Sequence, residues 1–268
     1  MLSEAFAYLT TPCTPHLKSM GYLKELIATE ARSRRCRTHW QSHIDQTRAV
    51  IIEAMHTVPD PKKAVVLGAG ILTDIPLKAL SETFAHVELV DVCFLKQTRQ
   101  DIRPYPNVET ISLDITGVAK PLYDLLNNNR HDGALPLPVR PDALSLADAD
   151  LVISANVLSQ LPLIPLSYAK GLEPQPDSDA LQAFARAIIK RHRDDLDTCP
   201  GTVCLISEVE RRYCDAGRIL ETADPLFGLA LRLEGKAWLW DMAPKREVAK
   251  DYAIQNRVIG THWRRPQG

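Results

Sequence analysis

The chain has 268 residues, 45% of them hydrophobic and 24% charged, with a formal net charge of −1. That length holds one large domain, or one domain with a helical appendage, and the balanced charge sets up no global field toward nucleic acid or an anionic membrane. No uninterrupted apolar run approaches the roughly 18 residues a membrane span needs, and the opening MLSEAFAYLTTPCTPH lacks the basic start and apolar core of a signal peptide, so a cytoplasmic location is expected.

Residues 1–16, with Pro12 and Pro15, read as loose chain. Residues 17–58 read as mostly helical, because Cys36, Trp40, Ile44, Thr47, Ile51, Met55 and Val58 follow a period near 3.6. Pro59 to Lys62 then breaks the helix, so the chain divides into an N-terminal helical cap, 1–59, and a larger domain, 60–268. From residue 63 strands and helices alternate. Strands are expected at 64–70, 86–91, 108–114, 149–156 and 201–210. Helices are expected near 73–83, 93–101, 117–127 and 178–195, with a further one broken at Pro162 and Pro165. Strands of near-continuous Val, Ile and Leu in such an alternation argue for a parallel sheet covered on both faces. The pattern then changes. Apolar residues at 229, 231 and 233, then Gly235, then Trp238, Trp240 and Met242 suggest a hairpin about a Gly-Lys turn. Residues 252–260 are a candidate last strand.

The stretch KKAVVLGAGILTDIPLKAL, 62–80, carries the chemistry. A strand, the turn Gly68-Ala69-Gly70 and a helix start make a seat for a nucleotide, since glycine lets backbone approach a ligand where a Cβ clashes. Asp91 closes the second strand and suits ribose hydroxyls; it also suits a helix N-cap. Asp114 closes the third strand, where a carboxylate accepts from an adenine amino group or caps the next helix. The third glycine of the dinucleotide fingerprint is replaced by Thr73, and Asp74 follows. A carboxylate there opposes a diphosphate and suits a cationic ammonium and sulfonium; it also suits an ordinary first helical turn.

These residues resemble the class I S-adenosylmethionine-dependent methyltransferases over about residues 60–245, and the LGAGxxxDxPL form is similar to an uncharacterised bacterial group of them. The resemblance implies an α/β Rossmann-like three-layer sandwich, with a mostly parallel seven-stranded sheet ending in an antiparallel pair. It implies S-adenosyl-L-methionine as cofactor, with Gly68, Ala69 and Gly70 as its loop, Asp91 and Val92 at the ribose and Asp114 with Ile115 framing the adenine. Asp74 and Asn156 then stand toward the methionine end. Two positions depart from the pattern: Val66 replaces the usual acid two residues before the first glycine, and Leu72 replaces the third glycine.

Methyl transfer needs alignment more than covalent help, and a base only when the acceptor must lose a proton. Acceptor-side candidates therefore lie after the fourth and fifth strands: Asn156, Ser159 and Gln160, then Glu208, Glu210, Arg211 and Arg212. Asn156 and Glu208 are the catalytic candidates; a solvated strand exit is the plainer reading of the second group. Arg32, Arg35, His39 and His43 either form a solvated basic face or present cations to a substrate over the cleft. Trp238 and Trp240 suit sheet-face packing. The six cysteines form no C-x-x-C pair, so reduced thiols rather than a metal site are expected. The expected partner is a small molecule, with nucleic acid disfavoured by the short basic run. An NAD(P)-dependent oxidoreductase is the rival reading, weakened by Thr73 and by the lack of a Tyr-x-x-x-Lys pair; Tyr168 and Lys170 stand only two apart. A non-catalytic nucleotide-binding relative is the third.

Overall fold

The computed structural model describes residues 2–128, 134–231 and 234–265. Five strands run parallel: β1 (Lys63–Leu67), β2 (His86–Asp91), β3 (Val108–Ser112), β4 (Leu151–Ala155) and β5 (Thr202–Asp215). Together with β6 (Arg218–Ala223), β7 (Lys236–Ala243) and β8 (Ala253–Arg264) they form one sheet of order β3-β2-β1-β4-β5-β8-β7, with β6 pairing β5 outside that path. β8 is antiparallel to both β5 and β7. The expected Rossmann-like sheet with an antiparallel ending is thus present, extended by one strand.

Burial of both faces explains the strand sequences. In β1, Ala64 and Val66 face one core and Val65 and Leu67 the other, all fully buried. The first core is covered by α4 (Arg37–His56), whose Trp40, Ile44, Ile51 and Met55 pack toward Val66, Ile153, Cys204, Ile206 and Val258. On the other face lies α9 (Ser178–Asp197), started by Asp177, whose carboxylate accepts from Ala180 N at 2.7 Å.

On the buried face of α9, His192 Nε2 meets Ser154 Oγ at 2.9 Å, and burial lowers its pKa to about 4. The unfolded chain takes up this proton near pH 6.5, so the histidine's contribution is complete above that pH and is lost as pH falls toward 4. His192→Gln removes that titration. The stability gap between wild type and variant is expected to shrink by about 3 kcal/mol from pH 7 to pH 4, read from urea midpoints; a constant gap contradicts the assignment.

The expected cap at 1–59 divides between two places. α4 belongs to the sheet's core. α1 (Leu2–Thr10), α2 (Pro15–Met20) and α3 (Tyr22–Arg35) lie toward the β2–β3 side. Leu17 and Met20 of α2 pack with Val118, Ala119 and Leu122, while Leu23 and Ile27 of α3 pack with Cys93 and Leu95. Residues 2–10, expected loose, are helical.

Two further expectations are corrected. The helix expected from residue 73 is α5 (Leu77–Thr83) and starts later, because Pro76 has no N–H to donate and disfavours helical backbone at Ile75. The hairpin about Gly235-Lys236 does not form. Residues 229 and 231 are not in a strand, residue 233 lies outside the described residues, and β7 pairs instead with β8, Trp238 opposite Val258 and Trp240 opposite Asn256. The hairpin of this region is β5–β6, turned by Ala216 and Gly217 at φ of 47° and 81°, the paired left-handed residues of a type I′ turn.

Candidate functional site

The strand order reverses at β1, which has β2 on one side and β4 on the other. In open α/β sheets ligands bind beyond the carboxyl ends of the strands at such a point. Gly68, just past β1, has φ of 76°, and a Cβ there would stand 2.5 Å from Cβ of Val157, just past β4. Glycine therefore lets the β1 and β4 exits touch. Gly68 N and Ala69 N donate to Val90 O at 3.0 and 3.2 Å, folding the turn onto β2. Leu72, where the family's loop has glycine, also sits in the left-handed region, at φ of 60°.

Asp91 holds this turn from below. Its Oδ2 accepts from Gly70 N and its Oδ1 from Val92 N, both at 2.7 Å, and burial raises its pKa to about 6. Asp114 Oδ1 accepts from Thr116 N and Oγ1 at 2.9 and 2.6 Å, and Oδ2 from Ala119 N at 2.9 Å, the first residue of α7 (Ala119–Asn128). The cap geometry is thus realised, with one of the carboxylate's roughly four acceptor sites still free. Ile115 is buried in the core under that turn. A cavity of about 620 Å³ opens here, lined by Val92, Ser112, Leu113 and Asp114, by Cys13 from the α1–α2 loop and by His16 of α2.

Asn156 follows β4 with φ of 53°, a backbone state that asparagine tolerates better than most residues. Its Nδ2 donates to Asp74 Oδ2 at 2.6 Å and lies 3.2 Å from His43 Nε2; its Oδ1 is buried with no partner. Asp74, in the irregular stretch before α5, is raised by burial and held down in part by that hydrogen bond. The indole N–H of Trp238 donates to His43 Nδ1 at 3.1 Å, and the imidazole stacks on Trp240 with centroids 4.1 Å apart. An indole only donates, so neutral His43 carries its proton on Nε2, facing Asn156 and, 4.0 Å away, Asp74. Burial lowers the His43 pKa to about 3. His43 is therefore not a cation offered to a substrate; it is a neutral, oriented donor.

Of the other residues on that helical face, Arg35 is engaged by Glu247 at 2.6 Å and His39 is exposed. Trp238 and Trp240 pack on α4 as expected. Sequence reasoning missed Arg48, whose Nη2 donates to Thr73 O at 2.6 Å. It also missed Tyr22, whose hydroxyl is buried without a partner, with Asp114 among the groups that raise its pKa after burial itself. The signal for His43 and Arg48 was their place beside the Trp40–Ile44–Thr47 stripe.

Glu208, at 2% exposure, accepts from Ser159 Oγ and Arg211 Nη2, each at 3.2 Å, and burial raises its pKa against the Arg211 charge. Gln160 Nε2 donates to Asn156 O at 2.7 Å. Glu210 pairs with Arg212. The β4 exit is thus tied to β5 through Ser159–Glu208. Within the described residues the one cluster with metal-ligand spacing is His86, Glu88 and Glu109. It lies at the opposite end of β2, and Lys63 Nζ stands 2.6 Å from Glu88.

Sheet order, the glycine turn and the acid that closes β2 define an α/β protein of Rossmann-like fold. No family model matches the chain, and no curated protein matches it. Among solved structures it is similar to a DhpI–SAH complex (14% identity, 90% of this chain and 96% of that one, TM-score 0.37). It is similar too to the Burkholderia thailandensis 1,6-didemethyltoxoflavin-N1-methyltransferase with bound substrate and S-adenosylhomocysteine (13%, 86% and 87%, 0.34). A Leishmania major SAM-dependent methyltransferase is a third (12%, 96% and 81%, 0.34). No helix among the described residues is long and apolar enough to cross a membrane.

Proposed function

We propose that the chain is a cytoplasmic, S-adenosylmethionine-dependent methyltransferase acting on a small-molecule acceptor. The observation that carries this reading is the content of residues 68–76. A diphosphate needs free N–H groups at a helix start close to the glycines. Here α5 begins at Leu77 behind Pro76, and the carboxylates of this stretch are Asp91, bonded to Gly70 N in the turn, and Asp74, bonded to Asn156 after β4. Carboxylates suit a ribose diol and a cationic amino-acid tail, and they repel a diphosphate, which weakens the NAD(P) reading.

The residues fit that cofactor. A Cβ on Gly70 would lie 3.9 Å from Asp91 Oδ2, so glycine keeps open the space over the acid. Gly68, Ala69 and Gly70 form the loop, Asp91 with Val92 holds the ribose, and Asp114 with Ile115 frames the adenine, using its remaining acceptor site. Asp74 and Asn156 face the methionine end. When bound, the cofactor supplies the electrophilic methyl group; the chain's task is to hold the acceptor in line with it.

Asn156 takes the acceptor-side role. Its buried, unpartnered Oδ1 accepts an N–H or O–H from the nucleophile, and the hydrogen bond to Asp74 fixes its side chain. Glu208 acts through Ser159 and the 156–160 loop. The test is label transfer from methyl-labelled cofactor into small-molecule fractions. Asn156→Ala is expected to lower kcat/KM about 100-fold with S-adenosylhomocysteine affinity changed less than tenfold, the size of losing one aligned polar contact at a reacting centre. Glu208→Gln is expected to lower kcat several-fold. Unaltered turnover in Asn156→Ala removes it from the acceptor site, and unaltered turnover in Glu208→Gln makes Glu208 purely structural.

A further inference from the structure

Two thiols meet where the N-terminal helices reach the cofactor cleft. Cys13 lies in residues 11–14, the link between α1 and α2, half-buried in the wall of the 620 Å³ cavity. Cys93 follows Asp91 and Val92 and is fully buried among Leu23, Ile27 and Leu95, the cluster against which Cys13 also packs. Both sit in this one cluster and both are free thiols. Of the other four cysteines, Cys36, Cys199 and Cys204 are buried and Cys214 is on β5 far along the chain. One partner of this pair is thus on the cap, the other two residues beyond the acid that holds the glycine turn.

We propose that Cys13 and Cys93 are an oxidation site for peroxides, closing to a disulfide that fastens the α1–α2 link to the floor of the cleft; its consequence for cofactor exchange rests on the function proposed above. The neighbouring Cys93 thiol and the charge of Lys18 lower the Cys13 pKa against its partial burial, while Cys93 is raised by the Cys13 thiol and by burial. Cys13 is therefore the attacking sulfur and Cys93 the resolving one. Cys13 thiolate attacks one oxygen of hydrogen peroxide. The O–O bond breaks, the departing hydroxide takes up the thiol's proton as water, and Cys13 becomes a sulfenic acid. The Cys93 sulfur displaces that hydroxyl, which leaves as a second water with the Cys93 proton. Two electrons pass from the sulfurs to the peroxide, and a dithiol reductant reverses the step.

The cavity gives peroxide access to Cys13, while Cys93 is shielded. Fixing residues 11–14 to residue 93 ties one wall of the cavity, Cys13 and His16, to another, Val92. S-adenosylhomocysteine added after oxidation is then expected to associate at least tenfold more slowly, and ligand bound beforehand to leave more slowly by a similar factor.

The experiment treats the full chain with hydrogen peroxide, maps disulfides by mass spectrometry and follows backbone hydrogen exchange in α1 and α2. The expected result is one Cys13–Cys93 linked peptide pair, slower exchange in α2 and reversal by dithiothreitol. Cys13→Ser, at a half-buried position, is expected to lose both effects; Cys93→Ser serves as the second variant. Pairing with any other cysteine, or Cys13 advancing to sulfinic acid with no link, overturns the proposal. A link that leaves exchange in α2 unaltered overturns the fastening. Failure of S-adenosylhomocysteine to bind reduced and oxidised protein alike counts against the cofactor assignment, and mapping and exchange still decide the disulfide.

Discussion

Asp91→Ala is expected to lower S-adenosylhomocysteine affinity by about 100-fold or more, while the protein still melts cooperatively. The carboxylate does two things at once. It clamps the glycine turn through Gly70 N at 2.7 Å, and in the function proposed above it also accepts from the ribose diol. Two charge-assisted hydrogen bonds, each about 1.5–3 kcal/mol, account for a loss of this size. The free carboxyl titrates at about 6 because burial disfavours its charge. A pKa raised above its unfolded value favours the folded state while the group is protonated, so that contribution is complete below about pH 4 and is lost as pH rises through 6. A ligand that donates to the carboxylate favours the charged form, so its affinity changes the opposite way. Binding is expected to strengthen about tenfold from pH 5 to pH 7 in wild type and to stay flat in Asp91→Asn. Calorimetry reads both; equal affinity in wild type and Asp91→Ala takes Asp91 out of the site.

Gly68→Ala is expected to be the most damaging single methyl group in the site. The backbone at φ of 76° resists any side chain, and the new Cβ would stand 2.5 Å from Val157 Cβ and 2.8 Å from its Cγ2. A left-handed residue costs about 1–2 kcal/mol, and overpacking against a rigid neighbour adds about 1–3 kcal/mol. The melting temperature is expected to fall by roughly 5–15 °C, with cofactor binding lost. Val157→Ala does not rescue the variant, because the closest atom is the Cβ that alanine keeps. Gly70→Ala differs in kind. Its φ of 53° carries the same left-handed cost, but its Cβ finds no protein atom nearer than 3.8 Å, so it escapes the overpacking and intrudes instead on the ligand. Equal stability in Gly68→Ala and wild type shows that the β1 and β4 exits do not touch.

The parallel half of the sheet was legible because strands buried on both faces leave an unmistakable run such as AVVL or LVIS between polar breaks. Gly68 and Asp91 were legible because strand-end position and residue chemistry suffice to place them. Asp74 was placed near the site, but the helix behind it was begun too early, since Pro76 was given less weight than the apolar spacing after it. The partner of the Trp238–Trp240 strand was beyond local pattern. Alternation shows a half-buried strand, not which distant strand it pairs, and β8 lies ten residues further on. β6 is exposed along its length and carries no apolar alternation, so only the Ala216-Gly217 turn announced it. The orientation of His43 depends on Trp238, 195 residues away, and no local signal encodes that bond.

The cleft is proposed to take adenosine bearing a cationic tail in place of a diphosphate. Parallel thermal melts with S-adenosylhomocysteine and with NADH test this most directly. At a hundred times its dissociation constant, S-adenosylhomocysteine is expected to stabilise the wild-type chain by about 2.7 kcal/mol, a rise of several degrees that disappears in Asp91→Ala, with NADH giving none. Stabilisation by NADH with no response to S-adenosylhomocysteine contradicts it.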